Sequence, residues 1–372
     1  MKKLFLTIGI VFTAVTLIRC SSSGDGETPD NFDRTALLAN WADNIIIPGY
    51  VNYQTKVHAL ADNVTAFNAA PNEANLQTLR TSWVDAYKSY QTISIYYLGK
   101  AAEVSLNESA NTYPADAAGI EANIASGTYN LAQFAQYSRQ GFPGLDYLIN
   151  GLGANDTAIV AFYATNANAV KYRQYLTDVT AKLKSNIDAV VTDWNSGYRD
   201  TFVSSTGTGV SSSVNKTTNL FVKNLEKTIR TGKIDIPAGL MSSGTLYPDK
   251  VEAYYKNDIS KELLNISIQA QKDFFNGKYA NSTTTGPSLK SYLDYLNAVR
   301  SGQNLSTVIN NQFDAIFAST ATLGNSFSQQ VNTDNAKMIA SHNVIQQGVI
   351  YIKLDMMQAL NISIDYVDGD GD

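Results

Sequence analysis

The sequence predicts an all-α protein, and three observations predict it. Apolar residues recur at steps of three and four through most of the chain. No convincing run of alternating apolar and polar residues interrupts them. Polar, glycine-containing clusters separate the helical stretches. At 372 residues with 44% apolar content, the chain can build sizeable cores, and at about 150 residues per domain it has room for two. Net charge is −5 with no basic block, which leaves no footprint for nucleic acid.

The N-terminus reads as a signal peptide over 1–19. Met1-Lys2-Lys3 is cationic, and Leu4 to Ile18 is an apolar run too short to span a bilayer comfortably. It ends at Leu17-Ile18-Arg19-Cys20, which resembles the lipobox of bacterial lipoproteins, although Arg19 departs from the small residue preferred there. Cys20 is the only cysteine, so no intramolecular disulfide can form. Lipidation of Cys20, with 20–32 as a flexible tether, anchors the mature protein to a membrane.

Helical spacing begins in earnest with Tyr53, Val57, Leu60, Val64 and Phe67, near Pro48, which should begin or kink a helix. Leu76, Leu79, Trp83, Ala86, Tyr90 and Ile93 repeat the pattern, as do Ile345, Val349, Ile352 and Met356. Further helices are expected over about 116–125, 129–139, 158–195, 212–232, 249–276, 287–300 and 304–330. Polar clusters fall at 150–155, 204–209 and 280–287. The middle one lies near mid-chain and sets the expected domains at 33–203 and 204–372, each an antiparallel helical bundle.

Several segments, in order, resemble the imelysin-like family, once classed as peptidases. Trp83-Val84-Asp85-Ala86-Tyr87-Lys88-Ser89-Tyr90 is similar to its Trp-containing second helix, and Tyr113-Pro114-Ala115-Asp116 to its Trp-Pro-x-Asp segment. Val251-Glu252-Ala253, Ser260 and Phe275-Asn276-Gly277 resemble a later helix more loosely, and the end Asp368-Gly369-Asp370 its terminal Asp-Gly-Asp. Gly141-Phe142-Pro143-Gly144-Leu145-Asp146 stands where the family carries Gly-x-His-x-x-Glu, with Pro143 at the histidine and Asp146 at the glutamate. The resemblance implies two four-helix-bundle domains packed against each other, with a site near their interface. It also implies a periplasmic or surface location and a link to bacterial iron uptake.

The residues themselves restrict the chemistry. A His-Glu-x-x-His zinc site needs two imidazoles one helical turn apart, and the chain has only His58 and His342. His58 with Asp62 is the nearest local pair and reads as a surface hydrogen bond. His342 extends the last apolar stripe and reads as a satisfied core histidine. Where the family's second helix carries a glutamate, Ser94 is the best match. Neither a Gly-x-Ser-x-Gly elbow nor a serine triad is indicated, and Ser341 beside His342 points elsewhere. Gly141-Phe142-Pro143-Gly144 reads as a turn opening a helix, with Asp146 in its first turn, where the helix dipole favours a carboxylate. The alternative keeps Asp146 as an oxygen ligand for iron or another metal ion. The acidic tail 368–372 begins like a calcium loop and stops too soon, so it reads as a solvated end. Tyrosines such as Tyr50, Tyr53, Tyr87, Tyr90, Tyr96, Tyr97, Tyr113 and Tyr147 serve the cores or floor a cleft.

The expected protein is a non-enzymatic, lipid-anchored envelope lipoprotein of the outer membrane, on its periplasmic face or the cell surface. Gly141, Phe142, Pro143, Gly144, Asp146 and Tyr147 would line a cleft for a small ligand, peptide, glycan or envelope protein. A metal-dependent peptidase and a structural or assembly lipoprotein are the alternatives.

Overall fold

The computed structural model describes residues 30–366, and from Asp33 onward these form one compact, all-helical unit. Eight helices carry the architecture: α1 Ile47–Ala69, α2 Glu73–Ile93, α3 Gly141–Asp146, α4 Ala169–Asp193, α5 Ser213–Lys223, α6 Ser260–Phe275, α7 Leu305–Thr320 and α8 Asn335–Ile350. Helix α1 packs on α2 and α4, and α3 closes against α2 and α4. In the second half α7 packs on α6 and α8, and α6 and α8 pack on a π-helical segment, Asn224–Asp235, that continues α5. The main contact between the two sets is α2 against α6. Among the described residues no helix is long and apolar enough to cross a membrane.

The stripes become the core. Tyr53, Val57, Leu60, Val64 and Phe67 of α1 are buried, as are Leu76, Leu79, Trp83, Ala86, Tyr90 and Ile93 of α2 and Ile345, Val349, Ile352 and Met356 near the end. Asn72 caps α2 by accepting the Asn75 N–H at 2.9 Å. Pro48 sits in the first turn of α1, directly after a π-helical turn over Trp41–Ile46 that joins it to the helix Arg34–Asn40. Because proline has no N–H, the carbonyl four residues back, Asn44, is left without its helical donor. The backbone N–H of Ala280 fills that vacancy at 2.8 Å, tying a distant loop to the helix.

Five expected helices are corrected, each by local polar chemistry or left-handed backbone. The 304–330 stretch is α7 and a separate helix, Phe327–Thr333, which the Ser326 side chain caps by accepting the Gln329 N–H at 3.1 Å. Residues 129–139 form a loop and a short 3-10 turn, Phe134–Arg139, because the Asn130 side chain takes the Ala132 N–H and Phe134 is left 84% exposed. The 158–195 stretch is two helices, Asp156–Ala164 and α4, parted where Asn166 accepts the N–H of Asn168. The 249–276 stretch is helical only from Ser260, since Ala253 and Asn257 adopt positive φ. The 287–300 stretch holds only the helix Leu289–Tyr295 before Asn297 turns left-handed into a two-residue strand pair, Val299–Arg300 with Gln303–Asn304.

Candidate functional site

The segment 141–147 is held by glycine at its start. Gly141 has φ +68°, and a Cβ there would lie 2.3 Å from the Ala110 carbonyl oxygen. Pro143 falls in the first turn of α3, where backbone N–H groups lack helical partners, so its missing donor costs the helix no bond. Phe142 is fully buried and stacks on Tyr87 with ring centroids 4.5 Å apart, while its carbonyl accepts the Trp83 indole N–H at 3.2 Å. A Cβ on Gly144 would sit 3.1 Å from the Arg139 carbonyl, so this helix packs with backbone almost in contact.

Asp146 lies at the far end of α3 and not in its first turn, which removes the dipole role read from the sequence. Its carboxylate is 1% exposed and accepts three N–H bonds: Tyr255 backbone at 2.9 Å, Lys256 backbone at 3.0 Å and the Asn150 side chain at 2.9 Å. The carboxylate holds the 253–257 turn in place, supplying the local reason that this stretch is not helix. Burial pushes the carboxyl up to about 7, outweighing those three bonds, which favour the charged form. A carboxyl raised in the folded state stabilises it most below the unfolded value of 3.8, and that contribution is lost as pH rises through about 7. Relative to Asp146→Asn, the wild-type chain should therefore lose stability between pH 4 and pH 7. Denaturant midpoints measured across that window check this, and parallel curves for the two proteins would refute it.

Pro143 and Asp146 line a cleft of about 270 Å3 together with Tyr113, Pro114, Asp249 and Tyr254. The Tyr113–Pro114 peptide is cis. Of the six candidate residues only these two reach the cleft. Gly141, Phe142 and Gly144 serve the packing behind it, and Tyr147 turns aside, donating to Glu121 at 2.8 Å. Of the eight tyrosines singled out, Tyr113 lines this cleft, and Tyr50, Tyr53, Tyr87 and Tyr90 are core.

Sequence reasoning missed Glu252, which is 3% exposed next to this cleft. Its carboxylate pairs with Lys233 and accepts from Asn111 at 2.6 Å and Gln91 at 3.3 Å. Gln91 in turn accepts from Lys233 at 3.0 Å and from Ser267 at 2.7 Å, and Tyr87 donates to Asn111 at 2.5 Å. Burial pushes the Lys233 ammonium below its usual value, against the opposing pull of Glu252. Burial and the nearby Glu252 carboxylate both push the Tyr113 phenol upward. The one available signal was a charged residue between apolar Val251 and Ala253, inside a segment matched only loosely.

The remaining candidates lie elsewhere. His58 bonds Asp188 of α4 at 2.6 Å and not Asp62, because the neighbouring helix offers a carboxylate at that edge. His342 is not sealed in the core: 22% exposed, it meets the buried Asp235 at 2.7 Å. Ser94 is buried and accepts from Asn224 at 3.2 Å. Cys20, the signal peptide and the acidic tail 368–372 lie outside the described residues.

The residues present do not fit a metal ion. The Pro143 side chain has no donor atom, both Asp146 oxygens already accept N–H bonds, and Glu252 is engaged by Lys233. Among the described residues no three His, Cys, Asp or Glu side chains gather as a ligand set.

The model of the imelysin family (peptidase M75) matches residues 46–349. The chain belongs to the imelysin family. Two solved structures share the imelysin fold seen here, each at 17% identity. The putative iron-regulated protein A precursor of Parabacteroides distasonis superposes with a TM-score of 0.70, covering 89% of this chain and 97% of its own. An imelysin-like protein of Psychrobacter arcticum gives 0.67, covering 90% and 97%. Iron-regulated protein A of Synechococcus elongatus is 21% identical over 157 residues, 42% of this imelysin chain and 39% of that protein, so the match spans well under half of the relative's length.

Proposed function

We propose that this imelysin-family chain is a non-enzymatic binding protein of the cell envelope, working in an iron-related process. It takes an organic ligand or a segment of a partner protein into the cleft beside Pro143 and Asp146. One observation carries the reading: the carboxylate at the motif's acidic position is engaged by three N–H donors, and a proline holds the imidazole position. Asp146 is committed to holding the Tyr255 and Lys256 backbone, and the Pro143 side chain can neither bind a metal nor take a proton. Recognition then falls to Tyr113, Asp249 and Tyr254 at the cleft wall. The names of the cyanobacterial relative, iron-regulated protein A, and of the Parabacteroides one, a putative precursor of such a protein, support the iron-related setting. The Lys2-Lys3 start, the apolar run and Cys20 support a lipid anchor at the outer membrane.

Titration with ferric, ferrous, zinc and calcium ions should leave the melting temperature unchanged. A saturable rise that disappears in Asp146→Ala, or chelator-sensitive peptide cleavage lost in the same variant, would overturn the binding-protein reading in favour of the metal-dependent peptidase. In bacterial cells expressing the full chain, Cys20→Ser should release the protein from the membrane fraction, and an unchanged distribution would remove the anchor.

A further inference from the structure

A second cavity, of about 740 Å3, shares no lining residue with the first. It lies between α1, α2 and α6 and is bounded by the Lys278–Thr283 loop. That loop is a built wall. Lys278 and Thr285 form an antiparallel bridge, Tyr279 N–H bonds Thr284 O at 2.9 Å, and Ala280 is pinned to the carbonyl that Pro48 leaves free.

Three features define what the cavity would accept. First, its lining has no net charge: Asp273 and Lys278 are the only ionisable acid and base there, and they pair with each other at 3.1 Å. A charged ligand would enter without a counter-ion, at a desolvation cost. Second, hydrogen-bonding groups line it. Tyr96 is among them, only 4% exposed, and its hydroxyl forms no hydrogen bond among the described residues. That phenol lies close enough to feel the Asp273 charge. Third, Ile45, Ile266 and Phe274 give an apolar floor beside the Tyr279 ring.

A ligand matching this set is uncharged, has apolar faces and presents groups that both donate and accept. Asp273 already accepts from Gln269 at 2.7 Å and from Lys278 at 3.1 Å, so ring hydroxyls would donate to its remaining lone pairs and accept from Lys278, Asn52 and Tyr96. Ring C–H faces can lie on the aromatic and aliphatic floor. The volume is in the range of pockets that enclose compact organic ligands.

We propose that this cavity is a second binding site, for a neutral saccharide of one or two rings, with Tyr96 and Asp273 reading its hydroxyls. The site stands apart from the Pro143–Asp146 cleft and does not depend on how that cleft is used.

Calorimetric titration of the mature chain with glucose, N-acetylglucosamine, maltose, cellobiose and chitobiose tests the proposal, with glucuronate as the charged control. At least one neutral sugar should bind with a Kd tighter than about 1 mM, and glucuronate should bind more weakly. Both Asp273→Asn and Tyr96→Phe should weaken that binding by about tenfold or more, as expected for loss of a partner to a buried hydroxyl. Asp146→Asn should leave it unchanged. Tyr96→Phe removes an unpartnered hydroxyl and should fold normally, which keeps the test valid if Asp273→Asn proves unstable. The proposal is overturned if none of the five sugars binds, if glucuronate binds as well as they do, or if Tyr96→Phe binds like wild type.

Discussion

Lys233→Met should destabilise the protein by about 3–5 kcal/mol, the usual cost of leaving one member of a buried ion pair alone. Lys233 and Glu252 are each 2% exposed at the side chain, so water cannot replace the lost ammonium. Glu252 would keep Asn111 and Gln91 as donors, which softens the loss without neutralising the charge. The double variant Lys233→Met/Glu252→Gln should recover most of the stability, because a neutral amide can still accept from Asn111. Urea denaturation of wild type and the two variants checks this. A single variant within about 1 kcal/mol of wild type, or a double variant no better than the single, would contradict the pairing described here.

Gly141→Ala should be comparably damaging, by roughly 2–6 kcal/mol. About 1–3 of that comes from forcing a side chain into left-handed backbone at φ +68°. A similar amount comes from overpacking, since the new methyl would meet the Ala110 carbonyl at 2.3 Å. Gly244→Ala provides the comparison: it also has positive φ, but nothing lies within 4 Å of its added Cβ. Its loss should therefore be limited to the backbone cost. Equal losses at the two positions, measured by thermal and urea denaturation, would show that the contact with Ala110 contributes nothing.

The helices legible in the sequence were those whose apolar stripe faces a core throughout, as in α1, α2 and α8. Where a side chain competed for backbone bonds, the stripe misled. Asn130 and Asn166 each capture a nearby N–H, and Asp146 captures two from a segment more than a hundred residues away. No periodicity encodes that last contact. The segment around Pro143 could be located through its family resemblance, and both Pro143 and Asp146 do reach a cleft. The partners of Asp146 could not be read, because they are backbone amides and carry no residue identity. Glu252 and Lys233 were hidden for a related reason: each looks like an ordinary surface charge until a partner from another segment encloses it.

The π-helical segment Asn224–Asp235 gives the chain an unusual sensitivity to length. Within these twelve residues Glu226, Arg230, Lys233 and Asp235 all point inward, toward Lys353, Gln346, Glu252 and His342 respectively. A π-helix closes its bonds five residues back, one more than an α-helix, so its side chains are phased differently around the axis. Deleting one residue would change the phase of everything beyond the cut relative to the residues before it. Lys233 and Asp235 would then face the wrong neighbours with their chemistry unchanged. In this region the spacing of the residues is as much a determinant of the fold as their identity.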